Sequence, residues 1–202
     1  MTIRPTDKCH WFGRTFKEFT PLVLPFAGKP IVYCEVGVWR GDSAVWMVEN
    51  VLTNLKSFGV GIDDYAADTK RESNEEAKHI AYDRLKEYLN WQFIFKRSQD
   101  ALRDWKRLVG DLKIDILYLD GSHFAHDVVM DWCFAWPHLT KGSLVIFDDY
   151  GVSCRKKDGI DRVDKAVQSI QNSFAKFIEP RGKCYMQYAF EVVREPLVGV
   201  IT

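Results

Sequence analysis

Residues 31–41 read IVYCEVGVWRG, an apolar run that contains one acid and ends in a loop with two glycines. A short continuous apolar run predicts a buried strand, here over residues 31–36, and the segment 43–55 predicts the helix that follows it. A strand, a glycine loop and a helix in this order are typical of a sheet whose parallel strands alternate with crossover helices.

Gly37 and Gly41 directly follow the predicted strand. Glycine permits positive φ and lets a ligand approach the backbone closely. The start of the next helix offers unpaired N–H groups, and Asp42 or Ser43 can cap it. An ordinary strand-to-helix turn has the same composition, so the loop by itself leaves both interpretations open.

The rest of the chain repeats this alternation. We predict further strands over 58–62, 92–95, 114–119 and 144–147, and helices over 70–89, 100–109, 125–139 and 161–173. Thr140-Lys141-Gly142 is a predicted helix stop, and two strand-like runs around Pro180-Arg181-Gly182 predict a terminal hairpin. The expected fold class is therefore α/β, with a doubly wound, mostly parallel seven-stranded sheet and a C-terminal antiparallel hairpin.

A chain of 202 residues fits a single domain, which we predict over residues 1–202. Its expected parts are an N-terminal helical flap (1–29), a central α/β core (30–150) and a C-terminal helix with the hairpin (151–202). The flap carries five large aromatic residues: Trp11, Phe12, Phe16, Phe19 and Phe26. These rings are compatible both with core packing and with a lid that faces a substrate.

The charge balance excludes some classes of partner. Lys plus Arg and Asp plus Glu each number 28, so the composition gives no electrostatic footprint for nucleic acid or an anionic membrane. We interpret the short run Arg155-Lys156-Lys157 as a solvated loop. The five cysteines form no Cys-x-x-Cys pair, which argues against a zinc site and a disulfide framework. We find no signal-peptide pattern or bilayer-length apolar run, and we expect a cytoplasmic protein.

The glycine spacing separates two classes of ligand. A dinucleotide fingerprint reads Gly-x-Gly-x-x-Gly, but position 39 is Trp and the third glycine is missing, which disfavours a nicotinamide oxidoreductase. The pattern from Glu35 to Gly41 resembles motif I of class I S-adenosylmethionine methyltransferases, a group with a Rossmann-like fold. The resemblance implies that Glu35 faces the methionine end of the cofactor, where a carboxylate suits the positive sulfonium and ammonium groups.

An acid follows the second predicted strand. Asp63 ends the run Gly61-Ile62-Asp63, and an acid at this point can accept hydrogen bonds from both hydroxyls of a ribose. This placement indicates an adenosine ligand, although a turn or cap residue is the alternative. Asp64 and Tyr65 follow, and we expect Tyr65 to stack beside the adenosine.

The triplet Ser98-Gln99-Asp100 follows the third predicted strand. Here the sequence resembles the small O-methyltransferases of the catechol type, and the resemblance implies that Ser98 and Gln99 contact the adenine ring. Ser98 or Asp100 could equally cap the next helix.

Three carboxylates follow the last two parallel strands: Asp120, Asp148 and Asp149. Clustered carboxylates repel one another unless they are protonated, separated or bridged by a cation, and oxygen ligands suit Mg²⁺. Catechol-type enzymes hold Mg²⁺ through acids at these two strand ends, with an amide-bearing residue beside the second. By this resemblance Asp120 and Asp148 are metal ligands, and Asp149 replaces the amide residue as the third.

The segment 116–150 also resembles a broader methyltransferase family with Asp-Gly-x-His and Asp-Asp-Tyr after these strands, some members of which methylate sugar hydroxyls. This closer match runs from Ile31 to Tyr150. His123 stands where catechol-type enzymes carry a lysine base, which implies that His123 accepts the hydroxyl proton. A structural hydrogen bond is the alternative. We expect His126, Asp127 and Asp131 to lie on a helix outside the site.

We therefore expect methyl transfer from S-adenosylmethionine to a hydroxyl of a small-molecule acceptor, assisted by Mg²⁺, with Asp120 and His123 as catalytic residues. A metal-independent methyltransferase and an inactive cofactor-binding module are the alternatives. The sequence leaves the oligomeric state open, including a homodimer. The predicted cofactor-binding residues are Glu35, Gly37, Gly41, Ser43, Asp63, Asp64, Tyr65, Ser98, Gln99 and Asp120.

Overall fold

The computed structural model describes residues 12–66, 73–151, 162–183 and 186–196. The basic run Arg155-Lys156-Lys157 and the flap residue Trp11 lie outside these ranges. The strands are β1 (Val32–Val36), β2 (Phe58–Ile62), β3 (Trp91–Ile94), β4 (Ile114–Leu119), β5 (Leu139–Phe147), β6 (Ile178–Lys183) and β7 (Tyr188–Val192). The helices are α1 (Phe12–Val23), α2 (Asp42–Asn50), α3 (Asn74–Leu85), α4 (Ser98–Arg103), α5 (Trp105–Val109), α6 (Ala125–Ala135) and α7 (Val163–Ser173).

The seven strands form one sheet in the order β3-β2-β1-β4-β5-β7-β6. The first five strands are parallel, whereas β7 pairs antiparallel with β5 and β6 pairs antiparallel with β7. The predicted doubly wound sheet with a C-terminal antiparallel hairpin is confirmed. The strand order reverses between β1 and β4, and a crevice for ligands is expected at the carboxyl ends of these strands.

Helices cover both faces of the sheet because the buried strands are apolar on both sides. Residues of α4, α5, α6 and α7 pack on one face with Val32, Cys34 and Val36. Residues of α1, α2 and α3 pack on the other face with Tyr33 and Tyr118. The alternation of side chains along β1 thus divides the apolar residues between two cores.

The flap aromatics that the structure describes take part in packing. Phe19 is fully buried, and its ring centroid lies 4.9 Å from that of Tyr118. Phe12 and Phe16 are half-buried and pack edge-on or tilted against Trp46. For Phe19, core packing is therefore the correct interpretation rather than a lid that faces a substrate. Its contact with Tyr118 holds α1 against β4.

Three local predictions are wrong in detail. The predicted helix over 100–109 is broken into α4 and α5 at Asp104, where a turn directs the fully buried Trp105 into the core. The helix predicted to end at Thr140-Lys141-Gly142 ends at Ala135, because a short 3₁₀ turn with Pro137 follows it, and residues 140–143 instead form an irregularity in β5.

The third difference concerns the hairpin turn. Pro180-Arg181-Gly182 lies within β6, where the register with β7 shifts between Pro180 and Gly182. Proline is tolerated there because β6 is the edge strand of the sheet.

In the described part of the chain, no helix is long and apolar enough to cross a membrane.

Candidate active site

The predicted site residues share one edge of the sheet because the parallel backbone ladder continues beyond each strand. Gly37 N–H donates to Ile62 O at 2.9 Å, Asp120 N–H to Val36 O at 2.9 Å, and Asp148 N–H to Leu119 O at 3.0 Å. Each of these three residues is therefore held by the last residue of a neighbouring strand. The loops after β1, β2, β4 and β5 form a continuous rim at the point where the strand order reverses.

Glu35 is a fully buried acid at the end of β1. The hydroxyl of Tyr33 donates to its Oε2 at 2.8 Å, and the hydroxyl of Ser43 donates to its Oε1. Burial raises the pKa of Glu35 to about 8, although the two hydroxyl donors favour the charged form. A cationic partner such as an ammonium group would supply the missing compensation for its charge.

The two glycines of the loop have different roles. At Gly37 (φ +86°) an added Cβ would lie 2.2 Å from the backbone oxygen of Asp120. The close approach of the Asp120 backbone by itself requires a glycine at this position. Gly41 (φ +77°) is the N-cap residue of α2.

The predicted caps of α2 are therefore wrong. The N-cap makes no side-chain hydrogen bond. Ser43 is buried and bonds to Glu35, whereas the Asp42 carboxylate pairs with Arg84 of α3. Because glycine adopts the left-handed conformation at little cost, the helix begins without a side-chain cap.

Asp63 ties the loop after β2 to the loop after β1. Its Oδ2 accepts the backbone N–H of Trp39 at 2.9 Å, and its Oδ1 accepts that of Tyr65 at 2.8 Å. Tyr65 is buried, and its hydroxyl donates to Trp39 O at 2.9 Å. Burial raises the pKa of Asp63, while these N–H donors oppose the shift. The neighbouring Asp64 accepts the N–H of Ala66 and shapes its own loop.

Backbone strain within the described residues is concentrated at this rim. Trp39, Tyr65 and Asp149 adopt positive φ angles of 50°, 51° and 54°. Non-glycine residues rarely adopt this conformation, and where they do they cluster at functional sites. All three follow a parallel strand by two or three residues, as expected of loops shaped to bind rather than merely to connect.

Ser98 and Gln99 begin α4 at the end of the rim nearest β3. The N-cap of α4 is Arg97, which makes no side-chain cap bond, so capping by Ser98 or Asp100 is wrong. The side-chain amide of Gln99 donates to Asp131 Oδ1 at 3.0 Å, and Ser98 also hydrogen-bonds to this carboxylate. Asp131 is buried on its helix rather than solvated. The expectation that Asp131 lies outside the site is wrong, because this acid bonds to the two residues predicted to contact the adenine.

The carboxylates after β4 and β5 lie together around the hydroxyl of Tyr118. This hydroxyl lies 3.0 Å from Asp148 Oδ2 and 3.3 Å from Asp120 Oδ2. The Gln187 amide donates to the Tyr118 hydroxyl at 3.4 Å. Asp148 is only 8% exposed, and among the described residues its buried Oδ1 has no hydrogen-bond partner.

Burial and mutual repulsion shift these acids toward the protonated form. Burial is the main cause that raises the pKa of Asp120, and the charges of Asp148 and Asp149 raise it further. The pKa of Asp148 is raised to about 6 for the same reasons. Closely placed carboxylates of this kind are stabilised when a cation neutralises them.

A group that could hold a metal ion includes a residue predicted for another role. Ligand atoms of Asp120, His123 and Asp149 lie within 4.8 Å of one another. His123 Nε2 lies 2.8 Å from Asp149 Oδ2. Asp148 was predicted as a ligand, but it lies outside this group and bonds to Tyr118.

Sequence reasoning missed Tyr33, Tyr118, Asp131 and Gln187. Tyr33 and Tyr118 each lie two residues before an acid at a strand end, and side chains two apart share one face of a strand, so a signal existed. Gln187 reaches the rim because Tyr188, the first residue of β7, pairs with Phe147. The pattern of single residues around Gln187 contains no such signal.

A family model described as a methyltransferase domain matches residues 34–150. The chain is 27% identical over 197 residues to an uncharacterized protein of Acanthamoeba polyphaga mimivirus, covering 92% of this chain and 79% of that protein. The residues matched by the family model run from β1 to beyond the end of β5 and contain the rim described above. The chain belongs to this methyltransferase family.

Solved structures share the fold. The MycE methyltransferase from the mycinamycin biosynthetic pathway, in complex with Mg and SAH, superposes with a TM-score of 0.61 at 18% identity. That match covers 97% of this chain and 53% of MycE, so this chain spans about half the length of MycE. The O-methyltransferase TomG from Streptomyces achromogenes, in complex with SAM, gives 0.60 at 16% identity over 80% of this chain and 73% of TomG. The fold is that of the class I S-adenosylmethionine-dependent methyltransferases.

Proposed function

We propose that this protein transfers a methyl group from S-adenosylmethionine to a hydroxyl oxygen of a small-molecule acceptor, with a divalent cation at the acceptor side. The observation that carries the proposal is the placement of Asp120, His123 and Asp149 on the same rim as the buried Glu35. Names of solved relatives support an oxygen acceptor, since TomG is described as an O-methyltransferase.

The methyl donor fits the chemistry of the rim between β1 and β3. Glu35 would pair with the ammonium group of the donor, because a positive partner would compensate the burial that raises the pKa of this carboxyl. Asp63 would accept the ribose hydroxyls while it keeps its bonds to Trp39 and Tyr65. Ser98 and Gln99 would contact the adenine, and Tyr65 would limit the adenosine pocket.

A divalent cation fits the rim between β4 and β5. Asp120 and Asp149 offer carboxylate oxygens within one cluster, and the buried Asp148, whose Oδ1 has no hydrogen-bond partner among the described residues, lies beside them. Hard cations such as Mg²⁺ prefer oxygen ligands of this kind. When bound, the ion would lower the pKa of the acceptor hydroxyl.

His123 is proposed to accept the proton of the acceptor hydroxyl. The contact of its Nε2 with Asp149 fixes the ring, so a neutral imidazole would carry its proton on Nε2 and keep Nδ1 as the acceptor. As the oxygen–carbon bond forms, the carbon–sulfur bond breaks, S-adenosylhomocysteine leaves and His123 holds the proton. Asp149 then stabilises the imidazolium, as the carboxylate of a catalytic triad does.

The test is transfer of a labelled methyl group from S-adenosylmethionine to a panel of catechols and sugar hydroxyls, with product analysis by mass spectrometry. We expect an O-methyl product and a loss of about 100-fold or more in kcat for His123→Ala. His126→Ala is the matched control, because His126 is 73% exposed on the same segment. Donor binding without transfer to any acceptor would favour the inactive cofactor-binding module.

A further inference from the structure

Asp131 is a buried carboxylate that the proposed reaction does not use. It lies on α6 in the apolar stripe of Val128, Trp132 and Ala135, and only 2% of its surface is exposed. A buried carboxylate is costly unless hydrogen bonds compensate it. The bonds that it receives come from Gln99 and Ser98, the first two residues of α4.

The electrostatic surroundings of Asp131 are mixed. Asp127, one turn earlier on α6, raises its pKa, and Arg97, directly before α4, lowers it. Cys34 of β1 also lies within electrostatic range, on the sheet side of α6. Burial dominates, so that the pKa of Asp131 is raised to about 7.

The contact determines which way the amide of Gln99 points. An ionised carboxylate only accepts hydrogen bonds, so the group of Gln99 facing it at 3.0 Å is the NH₂ group. The carbonyl oxygen of the amide, which is attached to the same carbon, must then point away from Asp131. Without a carboxylate at this position, both orientations of the amide could form a bond.

We propose that Asp131 is a positioning residue that fixes the Gln99 amide with its oxygen toward the purine, and thereby makes the methyl-donor site specific for a 6-aminopurine. This inference rests on the proposed function, in which Gln99 contacts the adenine. The exocyclic amino group of adenine donates a hydrogen bond to the fixed oxygen. A 6-oxopurine places an acceptor oxygen at position 6, so the fixed oxygen loses the donor that the amino group supplies.

The test compares two ligands that differ only at this edge of the purine, S-adenosylhomocysteine and S-inosylhomocysteine, in which a 6-oxo group and N1–H replace the amino group and the unprotonated N1, by isothermal titration calorimetry of the full chain. We expect the wild type to bind the adenosyl ligand at least about tenfold more tightly. In Asp131→Asn the preference should fall to within about threefold, because an amide at this position accepts either orientation of Gln99.

Asp115→Asn is the matched control. Asp115 is a half-buried carboxylate that accepts the N–H of Val32 at 2.7 Å, and both residues lie at the starts of their strands, opposite the rim. The control should keep the wild-type ratio of the two affinities. Gln99→Ala, which removes the amide and retains Asp131, should lose the preference and covers the case in which Asp131→Asn does not fold.

The pH dependence of the ratio is a second readout. Below a pH of about 7, protonation of Asp131 gives it a donor, and the amide of Gln99 is no longer forced into one orientation. The preference of the wild type should therefore fall from pH 8 to pH 6, and that of Asp131→Asn should stay constant. Titration of Glu35 and Asp63 affects both ligands alike and cancels in the ratio.

An unchanged ratio in folded Asp131→Asn, or in Gln99→Ala, would overturn the inference. Failure of the wild type to bind either ligand would instead contradict the proposed function. The two failures are therefore distinguishable.

Discussion

The backbone N–H of Trp39 lies 2.9 Å from Oδ2 of Asp63, so the glycine loop after β1 is held by the acid after β2. The other oxygen of the same carboxylate accepts the N–H of Tyr65. Asp63 thus fixes two residues that adopt positive φ. The acid proposed to bind the ribose also shapes the loop against which the donor would lie.

Replacing Asp63 by alanine is expected to affect both properties. Two N–H groups lose their acceptor, which should lower the free energy of unfolding by about 1–3 kcal/mol. The affinity for S-adenosylhomocysteine should fall by about 100-fold or more, because the ribose contacts and the loop geometry are lost together. Thermal unfolding and calorimetry measure the two effects. Asp115→Ala also removes a carboxylate that accepts a backbone N–H, and it should reduce stability without reducing affinity.

Donor affinity should depend on pH through Glu35. Its pKa is raised to about 8, and only the ionised carboxylate pairs with the ammonium group, so binding should release a proton. The affinity should rise from pH 6 to pH 8, by at most about tenfold per pH unit. Calorimetry in buffers of different ionisation enthalpy measures the released proton. A pH-independent affinity, or proton uptake, would contradict this assignment.

The same raised pKa predicts a gain in stability for Glu35→Gln. The folded state retains a proton that the unfolded state gives up near pH 4.3, so Glu35 costs stability increasingly as the pH rises toward about 8. At pH 8 the variant should unfold at a higher temperature than the wild type, although it binds the donor more weakly. At pH 4 the difference in stability should vanish.

Gly37→Ala should be strongly destabilising. The new Cβ would lie 2.2 Å from the oxygen of Asp120, and the φ of +86° is unfavourable for alanine. We expect a loss of about 3 kcal/mol or more in the free energy of unfolding, measured with denaturant. Gly142→Ala has a similar φ of +94° with open space around the added atom, so it should cost only about 1 kcal/mol. Equal losses would mean that the contact with Asp120 is unimportant.

Removal of the cation should stop the proposed transfer. With EDTA the rate should fall by about tenfold or more, and added Mg²⁺ should restore it. Asp149→Asn should lower both the affinity for Mg²⁺ and the rate, since Asp149 contributes to the cation cluster and contacts His123. Asp111→Asn is the control, because Asp111 is 83% exposed and lies before β4, at the end of this strand opposite the rim. An EDTA-insensitive rate would support the metal-independent alternative.

The strand pattern and the acids at strand ends could be predicted because burial and the parallel ladder act locally. Five apolar runs became parallel strands, and Glu35, Asp63, Asp120 and Asp148 all follow or end them. The direction of each carboxylate could not be predicted. Asp148 bonds to Tyr118 and Asp149 contacts His123, and Asp149 adopts a positive φ that the sequence pattern does not indicate.

Contacts between distant segments account for most of the other differences. Gly37 is required by the backbone of Asp120, which lies 83 positions further along the chain. Asp131 joins the site because α6 packs against the start of α4. A pattern read along one strand or helix shows which face is buried, but it does not show which partner lies opposite.

Calorimetric titration of the full chain with S-adenosylmethionine at pH 8 tests the central claim most directly. We predict binding with a Kd in the micromolar range, about −8 kcal/mol, which is weakened about 100-fold or more in Asp63→Ala and also strongly weakened in Glu35→Gln. No heat of binding from the folded wild type at about 1 mM donor, a concentration that corresponds to about −4 kcal/mol, would contradict it.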